Sequence, residues 1–180
     1  MNVADRRFAT TDLARAAWAG YDEARQQVDM RMAERRLVGV ALEDLSLGQA
    51  AEWVRRVSEA DVAAFAALTG DCNPVHLDEA YASKTLMKGR VVHGALLGGF
   101  ISAVLGTELP GPGAIYLSQT LNFKRPVRID DEVTTRVVTK AIANEDVTFS
   151  TVCLVRRKIV ADGEAVVRVA RRAGVQGEAG

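Results

Sequence analysis

The chain has 180 residues and a mass of 19.4 kDa, enough for one domain with its own core and an appendage. Its 23 Lys and Arg match its 23 Asp and Glu, and the zero net charge excludes the basic excess of a general nucleic-acid binder. Two cysteines, Cys72 and Cys153, exclude a disulfide framework, and two histidines, His76 and His93, exclude a histidine-rich metal centre.

Residues 1–38 predict one long polar helix, capped by Thr10 or Thr11 with Asp12 in its first turn. Leu13, Ala17, Tyr21, Ala24, Val28 and Met32 make one narrow apolar stripe on it. Such a stripe docks a helix on its own body or on a partner helix. Leu37 to Gly48 reads as a connector and Ala50 to Val57 as a first strand. Ser58-Glu59-Ala60-Asp61 resembles a capping box. Val62, Phe65, Ala66 and Thr69 then put one helical face inward, and Gly70 stops the helix. A loop, Asp71-Cys72-Asn73-Pro74-Val75-His76, precedes a short helix from Asp78 to Ser83.

Gly94 to Gly106 is apolar nearly all round, as expected of a helix buried at the centre of a fold. The apolar run around it, Val91 to Leu105, is shorter than the ~20 residues a membrane-spanning helix needs. No signal-peptide core is visible at the start, so a soluble cytoplasmic protein without a membrane span is expected. Ile115 to Phe123 alternates as a strand, with Ile115, Leu117, Leu121 and Phe123 on one face. Glu132–Ala141, Val147–Val160 and Glu164–Arg172 predict three more strands, with Asp162-Gly163 as a hairpin turn. The expectation is an α+β architecture, an antiparallel sheet wrapped around a central helix, with a frayed tail at 176–180.

Chemistry concentrates in two places. Asp71 and His76 set a carboxylate and an imidazole five residues apart in a Pro-stiffened loop. Together they can hold one water and move its protons. The same residues also suit a turn aspartate and a buried, hydrogen-bonded ring. Gly94 opens the apolar helix, where an unpaired N–H can meet a carbonyl oxygen gaining negative charge. Tight packing explains that glycine equally well. Asp71, His76 and His93 offer a competing zinc-ligand set, but their spacing matches no helical zinc motif. A Cys72 nucleophile paired with His76 is disfavoured by the adjacent Asp71 charge.

Taken together, the motifs resemble the MaoC-like, (R)-specific enoyl-CoA hydratases. The resemblance runs from Ser58 to about Lys140. It rests on Asp61–Asp71, Asn73-Pro74-Val75-His76, Val91-Val92-His93-Gly94, Leu109–Leu117 and Phe123-Lys124-Arg125-Pro126-Val127. It is strongest to the short, single-domain hydratases that feed polyhydroxyalkanoate synthesis. It implies a hot-dog domain over residues 39–175 and a homodimer. It implies Asp71 and His76 as the catalytic pair and Gly94 as the oxyanion residue. Asn73, Ser102 and Leu105 fall at substrate-binding positions, the last two lining the acyl pocket. The implied reaction is syn hydration of a trans-2-enoyl-CoA to an (R)-3-hydroxyacyl-CoA. It calls for no metal or cofactor, because the CoA thioester is itself the substrate. Lys88, Arg90, Lys124 and Arg125 are candidates to meet the CoA phosphates. Residues 1–48 lie mostly outside the resemblance, which leaves the N-terminal helix open to a partner. An acyl-CoA thioesterase and a non-catalytic partner-binding protein are the alternatives.

Overall fold

The structure, a computed structural model, describes residues 38–172. The expected N-terminal helix and the tail at 176–180 lie outside the described residues. In chain order, a 3₁₀ turn at Leu42–Asp44 precedes β1 (Ala50–Arg56), α1 (Glu59–Thr69), α2 (Pro74–Leu77) and α3 (Glu79–Ala82). There follow α4 (Gly94–Thr107), β2 (Ile115–Gln119), β3 (Asn122–Phe123), β4 (Glu132–Ala143), β5 (Asp146–Val155) and β6 (Lys158–Arg168). These residues form two compact units. The first holds Val57–His93 and Arg128–Asp131. The second holds the described residues up to Arg56, then Gly94–Val127, and those from Glu132 onward.

In the first unit, α1 begins as its sequence predicts. The Ser58 hydroxyl accepts the Asp61 N–H at 3.2 Å, and the Asp61 carboxylate accepts the Ser58 N–H at 2.8 Å. That reciprocal cap satisfies donors a helix start otherwise leaves unpaired. Val62, Ala63 and Ala66 turn inward. Thr69, expected to join them, is exposed; its hydroxyl donates to the Phe65 carbonyl at 2.7 Å as the helix ends. Gly70 closes α1 at φ 77°, a left-handed cap that suits glycine. The segment read as a loop contains a helical turn. Asn73 Oδ1 caps α2 by accepting the Val75 N–H at 3.2 Å, and Pro74 occupies the first turn. The Arg128 guanidinium donates to the carbonyls of Met87, Gly89 and Arg90, tying down the approach to His93.

The second unit is a six-stranded antiparallel sheet in the order β1-β4-β5-β6-β2, with β3 also paired to β6. Alternation sets its inner face: Val133, Thr135, Val137 and Thr139 on β4, and Val147, Phe149, Thr151 and Cys153 on β5, are all buried. The long helix α4 lies against that face. Its Phe100 ring meets Trp53 edge-on at 6.3 Å, and Cys153 Sγ lies 4.0 Å from the Leu97 carbonyl. This is the hot-dog arrangement of an α+β protein. Among the described residues one side of α4 is sealed: Leu97, Phe100, Ile101, Val104 and Leu105 are buried, while Ala95, Gly99, Ser102 and Gly106 are exposed.

Two strand expectations change. The segment 115–123 is two strands, broken at Thr120 and Leu121. The hairpin joining β5 and β6 turns at Arg156 and Arg157, with φ 49° and 64°, and not at Asp162-Gly163. Asp162 and Gly163 lie inside β6 because the chain of Thr120 crosses there. A Cβ on Gly163 would come 1.7 Å from the Thr120 carbonyl oxygen. The glycine serves a close backbone approach, not a turn.

Candidate active site

The first unit brings Asp71, His76 and His93 together. One ligating atom from each lies within 4.8 Å of the others. Asp71 sits just past the α1 cap. Its N–H meets the Thr69 hydroxyl at 3.3 Å, and its Oδ1 accepts the Asn73 N–H at 3.3 Å. Asp71 is exposed, so its carboxylate can reach a water or a substrate. His76 lies in α2, half-buried, with its backbone N–H on the Asn73 carbonyl at 3.0 Å. Its Nδ1 lies 2.8 Å from the Val91 carbonyl oxygen. A carbonyl only accepts, so Nδ1 carries the proton and neutral His76 presents Nε2 as its open basic nitrogen.

His93 is the buried member, 1% exposed. Its Nε2 lies 3.0 Å from the Asp71 main-chain carbonyl oxygen, which makes Nε2 the protonated nitrogen. Its ring stacks on His76, with centroids 3.8 Å apart and planes inclined by 29°. Phe65 borders the ring at 4.9 Å. Nδ1 is buried and has no partner among the described residues. Burial lowers the His93 pKa, and nearby His76 adds to this; the Asp71 carbonyl opposes both.

The stack directs the two imidazoles side by side, whereas a shared metal ion needs lone pairs that converge on one point. One nitrogen of each ring is also held by a main-chain carbonyl. The arrangement therefore suits holding and moving a proton between Asp71 and His76 better than gripping a cation. Neither thiol joins it. Cys72 is exposed, and Cys153 belongs to the second unit, where burial pushes its thiol up to about 11.

The remaining expected residues lie as follows. The Asn73 side chain is engaged in the α2 cap. Gly94, the first residue of α4, lies under the Phe123 ring; a Cβ there would come 3.0 Å from two ring carbons. Ser102 is on the exposed side of α4 and Leu105 is on its buried side. Three of the four basic candidates already have partners. Arg90 bridges Glu59 at 2.8 Å, Lys124 reaches Asp162 at 3.4 Å, and Arg125 donates to the Ile159 carbonyl at 2.6 Å. Sequence reasoning named His93 only as a possible metal ligand. The available signal was a histidine ending the apolar run Val91-Val92, where a buried imidazole must find a partner.

The family model of the MaoC like domain matches residues 47–163. The chain belongs to the MaoC-like family. It is 52% identical over 132 residues to the (R)-specific enoyl-CoA hydratase of Rhodospirillum rubrum, covering 72% of this chain and 92% of that protein. Among solved structures it is similar to the R-hydratase PhaJ1 from Pseudomonas aeruginosa. There the TM-score is 0.71 at 41% identity, over 74% of this chain and 88% of that one. It is also similar to the (R)-hydratase from A. caviae involved in PHA biosynthesis, at TM-score 0.69 and 43% identity, over 71% and 98% of the two chains.

Proposed function

We propose that this MaoC-like protein is an (R)-specific enoyl-CoA hydratase, adding water to a trans-2-enoyl-CoA and reversing that step as a dehydratase. The observation that carries the reading is the placement of the Asp71 carboxylate beside a His76 whose Nδ1 is tied to the Val91 carbonyl. Both groups then offer acceptors to one water, the carboxylate through an oxygen and the imidazole through Nε2. A water that donates a hydrogen to each keeps its oxygen lone pairs for C3 of the enoyl group. As the C3–O bond forms, one of the pair takes a water proton, and the pair delivers a proton to C2. The resemblance to the (R)-specific hydratases supports a syn addition, with Asp71 and His76 acting from one side. The thioester acidifies C2 by itself, so no metal or redox cofactor enters the scheme.

Gly94 follows His93 directly in the chain and opens α4. Its N–H is proposed to bind the thioester oxygen as that oxygen gains enolate character. Ser102 and Leu105 are proposed to border the acyl chain. The protein is proposed to act in the cytoplasm as a homodimer, joined where β2 exposes Ile115, Tyr116 and Leu117. The similarity to a hydratase of PHA biosynthesis supports a role in supplying (R)-3-hydroxyacyl-CoA to polyester synthesis.

The test is hydration of crotonyl-CoA with chiral analysis of the product. Wild-type protein is expected to form (R)-3-hydroxybutyryl-CoA. Asp71→Asn and His76→Ala should each lose about 10²–10⁴-fold in kcat, the range of a positioned acid or base. Full activity in both variants, or release of free CoA in place of hydration, would refute the assignment.

A further inference from the structure

His93 has features that a core filler does not need. It is buried, yet it keeps Nδ1 without a partner among the described residues. A buried unsatisfied acceptor carries a desolvation cost that a phenyl ring of similar size would avoid. What the imidazole provides and a phenyl does not is the Nε2–H, and that donor points at the Asp71 main-chain carbonyl, 3.0 Å away. The same ring lies flat against His76 at 3.8 Å between centroids. One side chain thus touches both members of the proposed catalytic pair, the backbone of one and the ring face of the other.

We infer that His93 is a positioning residue that braces the Asp71–His76 pair, holding the Asp71 backbone through Nε2–H and the His76 ring plane through the stack. The inference rests on the hydratase reading for its catalytic consequence, although the brace itself is a property of the first unit. The local bonds of Asp71 and His76 to Thr69 and Asn73 fix their turns, and the contacts with His93 are added to these. Asp71 stands beyond the end of α1, and His76 is in a four-residue α2. Without the brace, the water-holding atoms would keep their identity and lose their mutual geometry. A misplacement on the order of 1 Å can cost about 10²-fold in rate.

Two substitutions separate bracing from filling. His93→Phe keeps a stacked ring and removes the donor. His93→Gln removes the ring but sets an amide N–H near the former Nε2. In crotonyl-CoA hydration, His93→Phe is expected to lower kcat by about 10²-fold, with KM and melting temperature close to wild type. His93→Gln is expected to regain about a tenth of wild-type kcat, the scale of one hydrogen bond. Wild-type kcat in His93→Phe would overturn the inference, as would losses in both variants that simply follow lost stability.

Nitrogen-detected NMR of the wild-type imidazoles supplies a reading without substitution, and decides alone if His93→Phe does not fold. His93 is expected to be neutral at pH 7, with Nε2 protonated and Nδ1 bare. A His93 with Nδ1 protonated and Nε2 bare would overturn the brace. Absence of enoyl-CoA hydration by the wild-type protein would instead sink the hydratase reading, while the NMR would still report on the brace.

Discussion

An imidazole that gives up water must be stabler neutral than charged, and His93 follows that rule because burial outweighs the Asp71 carbonyl in setting its pKa. The groups facing it are Asp71, His76 and the apolar Phe65. Its folded pKa lies below the ordinary 6.5, so between those two values the unfolded chain binds more protons. Stability from this residue is therefore full above about pH 6.5 and falls as pH drops through the folded pKa. Thermal melts from pH 7.5 to 5 should show a declining midpoint that is shallower in His93→Phe. Identical slopes in the two proteins would mean that His93 titrates as if unfolded. At this scale the sequence was partly legible. Asp71 and His76 stand out because they are five residues apart in one loop. The role of His93 does not, because its two partners lie 22 and 17 positions earlier in the chain and only folding brings one to Nε2 and the other to the ring face.

Among the elements, the capping signal of α1 survived folding, whereas the Asp162-Gly163 turn signal and the unbroken alternation of 115–123 did not. The capping box of α1 is present because its donors and acceptors all lie within Ser58–Asp61. Asp162-Gly163 has the composition of a hairpin turn, but β5 pairs past it in register, and the reversal falls on Arg156 and Arg157 at positive φ. What decides is a tertiary contact that local sequence cannot show: the Thr120 chain lies against Gly163, with the Thr120 N–H on the Glu164 carbonyl at 2.9 Å. Gly163→Ala should destabilise the protein by at least the roughly 1–3 kcal/mol typical of an overpacked site. Urea unfolding measures this. An unchanged midpoint would show that the Thr120 crossing can move aside without loss.

On the scale of the whole molecule, the apolar helix and the period-two strands announced a sheet laid on a helix, and the second unit has that form. That the Ala95, Gly99, Ser102 and Gly106 side of α4 is exposed was not legible, since composition reports apolarity and not which side a neighbour takes. A homodimer predicts a solution mass twice the 19.4 kDa of the chain. Leu117→Glu, placing a charge on the apolar edge, should return that mass to a single copy in light scattering. An undisturbed dimer would locate the interface away from β2. The two ends of the sheet are also chemically unlike. β2 ends it with Ile115, Tyr116 and Leu117 exposed, whereas β1 ends it with Glu52 and Arg56 exposed on either side of one exposed large apolar residue, Val54. Joining β2 to its own copy by a twofold axis uses up the apolar rim and leaves charged rims outermost, which resist further strand addition. In such a dimer, growth through the sheet would be self-limiting: concentrating the protein would fill dimers and not seed open-ended fibres.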